Sequence, residues 1–207
     1  MEKERIKILM AAHIGKPWGG ISTLFEAILQ TPLREQFDIT FFETSLTRQT
    51  AADGNISSSS LLHSVRILFS FVEKLIAVRP GIVHIATAHR GSFIKHGAMV
   101  IIAKIFNKKV ILAPHCSLAA LLPKKSSKSW RGWVKFIIAR CDCLLVLSKE
   151  WLKEDPLIRP RQLIYLPNAI NTNEYSQIDR SAARASKKIK LLFLGHLSEE
   201  KGLFDLI

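Results

Sequence analysis

The feature that most constrains this chain is a repeated alternation of short apolar runs and longer segments of helical period. The apolar runs fall at residues 6–12, 37–42, 82–86, 109–113, 143–147 and 162–166. Between them, apolar positions recur at three- and four-residue spacing over 21–29, 61–78, 92–106 and 127–139, with a shorter helical stretch at 149–154. A polar loop over 48–60 ends in a serine cluster suited to capping the helix that follows. Strands with few polar breaks, separated by helices, bury both sheet faces and so run parallel. The expected fold class is α/β, a Rossmann-like parallel sheet with helices on both faces.

With 207 residues the chain holds one full domain of this kind and a remainder too short for a second. Residues 1–174 read as that domain, and the polar, basic stretch 175–188 reads as a linker. Residues 189–194 form a new apolar strand running into Gly195, with a helix starting near Ser198. The expectation is therefore a second domain of which 189–207 is only the beginning.

The charge of +13 is unevenly spread. No Asp or Glu lies between Glu73 and Asp142, whereas the lysines and arginines from Lys74 to Arg140 account for the whole excess. A single-signed stretch favours an anionic partner: a phosphate ligand, a membrane surface or nucleic acid. Three cysteines, Cys116, Cys141 and Cys143, match neither zinc-ligand spacing nor a disulfide framework, and read as buried thiols. The run 6–14 is broken by Lys7 and His13, which fits neither a secretory signal nor a membrane span, so the protein is expected in the cytoplasm.

The loop 15–20 links the first strand to the first helix, and its glycines would let backbone N–H groups approach an anion. It lacks the Lys-Ser/Thr of a Walker loop, and Pro17-Trp18 breaks the dinucleotide fingerprint. A tight turn and a ligand loop both remain open. His13, His89 and His115 fall at the carboxyl ends of strands, where open α/β sheets bind ligands, and His84 lies within one. Each is either a hydrogen-bonded structural histidine or a site residue. No spacing supports a metal site.

Six segments, in order, carry a family resemblance: 18–21 (WGGI), 83–86 (VHIA), 113–116 (APHC), 145–149 (LVLSK), 166–170 (LPNAI) and 194–202 (LGHLSEEKG). Together they resemble the retaining glycosyltransferases of family 4, the group 1 glycosyltransferases, whose GT-B fold pairs two Rossmann-like domains. The resemblance implies transfer of a sugar from a nucleotide-sugar donor to an envelope, lipid-linked or polysaccharide acceptor, with no bound cofactor or metal. It implies His115 as the catalytic residue facing the reacting sugar, and Gly19, Gly20, His196, Lys201 and Gly202 as donor-binding. His13, His89 and Arg90 become acceptor-side candidates. His196 stands where the family carries Arg, exchanging a permanent charge for a titrating one. The family's Glu-x7-Glu segment has no counterpart before Ile207, and this chain alone is expected to be inactive.

Lys124, Lys125, Lys128, Arg131 and Lys135 accompany Trp130 and Trp133 in a basic amphipathic stretch. Such a helix either lies on an anionic bilayer, giving peripheral contact at the inner face of the membrane, or packs its apolar side on the sheet. No DNA- or RNA-binding module accompanies the charge, so nucleic acid is not expected as a partner. The alternative to the enzyme is a non-catalytic basic Rossmann-like module binding anionic membrane or phosphate ligands. An ordinary nucleotide-binding oxidoreductase is disfavoured by the broken fingerprint.

Overall fold

A computed structural model describes residues 5–14, 20–45, 58–88, 90–149, 151 and 160–168. The chain divides into two compact units, Met1–Ile170 and Asn171–Ile207, and every described residue lies in the first. The linker at 175–188 and the strand and helix expected over 189–207 lie outside the described residues.

Among the described residues, six strands make one sheet: β1 (Ile6–Ala12), β2 (Phe37–Glu43), β3 (Ile82–Thr87), β4 (Lys109–Pro114), β5 (Cys143–Val146) and β6 (Leu163–Tyr165). They are ordered β2-β1-β3-β4-β5-β6, and every pairing is parallel. The helices are α1 (Gly20–Leu29), α2 (Leu33–Gln36), α3 (Ser58–Val78), α4 (Arg90–Ile105), α5 (Leu118–Leu121) and α6 (Lys128–Arg140). The fold is a Rossmann-like α/β sheet, as the alternation of periods predicts.

Side chains alternate across each strand, and the two faces receive different helices. Leu9, Ala11, Val83, Ile85, Val110, Leu112, Leu144 and Val146 pack with α3, α4 and α6 in the larger core. Met10, Ala12, Ile39 and Ala86 pack with Phe25 of α1 on the opposite face. A constant crossover hand explains the split. The step from β1 to β2 runs one way along the sheet and the later steps run the other way, so α1 emerges on the far side.

The differences from the sequence reading are local. The serine cluster does not precede α3 as a loop, because Ser58–Ser60 already lie in its first turn. Two short helices, α2 and α5, escape the periodicity because four residues hold barely one helical turn. α5 is capped by the Ser117 hydroxyl, which accepts from the Ala120 N–H, and Ser127 caps α6 by accepting from the Trp130 N–H. α4 ends on Asn107 in the left-handed region, φ 60°, where the Lys108 N–H returns to the Ala103 carbonyl at 2.9 Å. Cys141 and Cys143 are buried and Cys116 is half-buried, all as free thiols.

Asp142, the residue that ends the acid-free stretch, holds the amino-terminal edge together. Its carboxylate accepts from the Val110 N–H at 2.9 Å and from Lys104 Nζ at 2.8 Å, tying β4 and α4 to the start of β5. Burial pushes its pKa up, but the Lys104 and Val110 hydrogen bonds outweigh this and leave it below the ordinary carboxylate value. Among the described residues, no helix is long and apolar enough to cross a membrane.

Candidate functional site

The two ends of a parallel sheet are chemically unequal. The following helices begin at the carboxyl ends of the strands, so free N–H groups and positive dipole ends gather there. Strand order reverses between β1 and β3, with β2 added on one side and β4 to β6 on the other. Ligands of open α/β sheets lie in the crevice at such a reversal. α1 starts at Gly20 beyond β1, and α4 starts at Arg90 beyond β3, so both helices open on this edge.

One group of polar side chains closes the ends of β1 and β2. Register sets Glu43 beside Ala12, and the Glu43 carboxylate accepts from the Ile14 N–H at 2.8 Å and the Ser45 N–H at 2.7 Å. His13 Nδ1 lies 3.4 Å from the same carboxylate. The Ser22 hydroxyl of α1 donates to the His13 carbonyl at 3.3 Å, so the segment leaving β1 is held from both sides. Burial pushes the Glu43 pKa up, while the Ser45 and Ile14 hydrogen bonds and the nearby His13 bring it below its ordinary value.

Lys95 of α4 reaches into the same corner. It is buried, and its ammonium donates to the Thr44 carbonyl just past β2. Burial pulls its pKa down to about 8, against the opposing pull of Glu43. An ammonium has three donors, and Lys95 makes no second hydrogen bond among the described residues. Among the described residues this leaves a cation with unused donors next to a fixed carboxylate.

A second group lies beyond β3 and β4. The His115 N–H donates to the Thr87 carbonyl at 2.7 Å, and the Cys116 thiol donates to the Ala88 carbonyl at 2.7 Å. Burial lowers the His115 pKa, so its ring is neutral at pH 7, with one nitrogen donating and the other accepting. His84, within β3, stacks at a tilt on Phe25 with ring centroids 5.7 Å apart. Burial, and then the charge of His115, brings His84 down to about 4. The Thr87 hydroxyl and His84 Nδ1 are buried without partners among the described residues. Burial raises the Cys116 thiol to about 11, which removes it as a nucleophile at neutral pH.

The sheet thus brings His13, Gly20, Arg90 and His115 to one edge. Gly19, His89, His196, Lys201 and Gly202 lie outside the described residues. Sequence reading missed Glu43, Thr44 and Lys95. Lys95 carried a signal: it is the one Lys or Arg between Arg90 and Lys104 on α4, ahead of the apolar run 98–103. Among the described residues, no three His, Cys, Asp or Glu side chains gather as a metal ion would need.

Of the two readings open for the basic stretch, packing on the sheet describes its tryptophans. Trp130 is only 8% exposed, packs edge-on against Phe93 and donates its indole N–H to the Leu121 carbonyl at 2.8 Å. It is a core residue, because α6 presents Trp130, Val134, Ile137 and Ile138 to the sheet. Trp133 is half-buried against α4 at Gly97. Lys124, Lys125 and Lys128 are exposed, and Arg131 and Lys135 are half-buried.

No family model matches the chain, and no curated protein matches it in sequence. Among solved structures the chain is similar to MurG from Acinetobacter baumannii, at 10% sequence identity and a TM-score of 0.41. The match covers 84% of this chain and 50% of that one, so the chain spans half the length of the structure it matches.

Proposed function

We propose that this chain is the acceptor-side domain of a nucleotide-sugar-dependent glycosyltransferase of the GT-B kind, retaining and related to family 4. The acceptor is an envelope, lipid-linked or polysaccharide glycan presented at the cytoplasmic face of the membrane. The observation that carries this reading is the placing of His115. This residue of the resembling motif lies at the carboxyl end of β4, tied to β3 through Thr87 and neutral at pH 7.

A neutral imidazole suits a sugar hydroxyl, since it donates at one nitrogen and accepts at the other. In this reading His115 orients the transferred sugar, and the Glu43, His13 and Lys95 group meets the acceptor. Lys201 and His196 hold the donor diphosphate from the second domain. A leaving nucleoside diphosphate gains charge in the transition state, so a fixed cation there stabilises the transition state more than the ground state. No protein-bound metal or cofactor is required.

The test is turnover of a nucleotide-sugar by a polypeptide carrying both domains, with His115→Ala beside the parent. Loss of an oriented hydrogen-bonding group is expected to lower kcat at least about a hundredfold with the thermal unfolding midpoint little changed. An unchanged kcat would return His115 to a structural role.

A further inference from the structure

We propose that α3 is the interface of a twofold dimer, in which it packs antiparallel against α3 of a second copy of this chain. The case begins with apolar residues on α3 that the core does not use. Ile67, Phe71 and Leu75 are buried, whereas Leu61, Leu62, Val65, Phe69 and Ile76 are exposed, Phe69 by 68%. With the half-buried Val72, the exposed residues from Leu62 to Ile76 recur at alternating steps of three and four, the spacing of a seam that a second helix covers. At 100° per residue this seam is about 80° wide and lies on the side of α3 turned away from the core stripe. Large apolar side chains gathered in this way mark an interaction surface, whereas scattered ones do not.

The charges beside the seam decide what covers it. Arg66 and Glu73 are both exposed, and neither has an ion-pair partner among the described residues. They border the same edge of the seam, four residues after Leu62 and Phe69 respectively, and stand about 10 Å apart along the axis. Two helices related by a twofold axis across the seam run antiparallel, which sets like edges against each other. With that axis between Phe69 and Val72, Phe69 meets the partner's Val72, Val65 meets the partner's Ile76, and Arg66 meets the partner's Glu73. Symmetry makes each contact twice. A parallel pairing would instead set Arg66 against the partner's Leu61, so the charges select the antiparallel one.

An anionic lipid surface gains little from this face, where one exposed arginine is offset by one exposed glutamate and Lys74 is half-buried. The chain's excess of +13 does not oppose the dimer either. α4 packs against both α3 and α6, so the exposed lysines at the start of α6 lie beyond α4. Two helix spacings amount to about 18 Å, more than the screening length of about 8 Å at physiological salt.

The test is sedimentation velocity of the 207-residue chain in reducing buffer, from about 1 µM to about 100 µM. A monomer–dimer equilibrium is expected. Arg66→Glu or Glu73→Arg alone brings like charges together at both symmetric contacts and should weaken the dimer about tenfold, while the two substitutions in one chain should restore it. Phe69→Ser should leave a monomer with unchanged circular dichroism, and Leu62→Ser serves should that variant not fold. A chain monomeric throughout, a dimer indifferent to both serine substitutions, or single charge substitutions that the double does not rescue would overturn the proposal. A monomer that pellets with phosphatidylglycerol vesicles through Phe69 would give the face to lipid and overturn it equally. No nucleotide-sugar enters this test, so its outcome is separate from that of the sugar-transfer reading.

Discussion

His96 shows what a single buried side chain can do to the pH response of the whole domain. It faces the core from α4, is 5% exposed, and both ring nitrogens lack a partner among the described residues. Burial, helped by the charge of Lys95, lowers its pKa from 6.5 to about 3. The unfolded chain therefore binds a proton below pH 6.5 that the folded chain refuses. Its contribution is fully present above pH 6.5 and is lost as pH falls towards 3, with a slope of about 1.4 kcal/mol per pH unit. His84, lowered to about 4, adds a second histidine to the same window. His96→Leu is expected to stabilise the domain by about 1 kcal/mol at pH 7, by removing two unsatisfied nitrogens, and to flatten the loss of stability between pH 6 and 4. Urea unfolding at a series of pH values checks this, and a variant that tracks the wild type across the window would contradict it. The site was partly legible at this scale. His13 and His115 could be placed by their positions after apolar runs, but Glu43 and Lys95 become a pair only when β2 and α4 meet beside β1. No spacing in the sequence encodes that meeting.

Close approach of helices decides where the tryptophans go. A Cβ built on Gly97 would lie 2.8 Å from Trp133 Cζ2 and 3.1 Å from Ile137 Cγ1, so α4 and α6 meet at a notch that only glycine leaves open. The Trp133 ring fills it and stacks on Phe136, with centroids 6.1 Å apart. Gly97→Ala gains helix propensity but forces a rigid indole aside, and overpacking of this kind costs about 1–3 kcal/mol. A lower thermal midpoint with red-shifted tryptophan emission is expected, and an unchanged or raised midpoint would show that the helices separate without cost. On α6 the pattern correctly gave an amphipathic helix, but a helical stripe states only that a face is apolar, not whether protein or lipid covers it. The same holds on α3, where Leu61, Leu62, Val65, Phe69 and Ile76 recur at helical spacing and are exposed, while Ile67, Phe71 and Leu75 are buried against the sheet.

Across the whole domain, the sheet and its connections were legible because each strand is a continuous apolar run and each helix a distinct period. Strand order was not, since the reversal between β1 and β3 arises from the direction of each crossover and leaves no mark in hydropathy. That reversal brings the start of α1, the start of α4, the Glu43 and Lys95 corner and His115 to the same carboxyl edge of the sheet.

Sugar transfer is measured most directly as release of nucleoside diphosphate from a panel of UDP- and GDP-linked sugars. The assay uses the polypeptide as its native host makes it, with host membrane lipid as acceptor. Turnover is expected with one donor class, dependent on the lipid and lost in both Lys201→Ala and His115→Ala. Absence of turnover with every donor, or turnover indifferent to both substitutions, would contradict it.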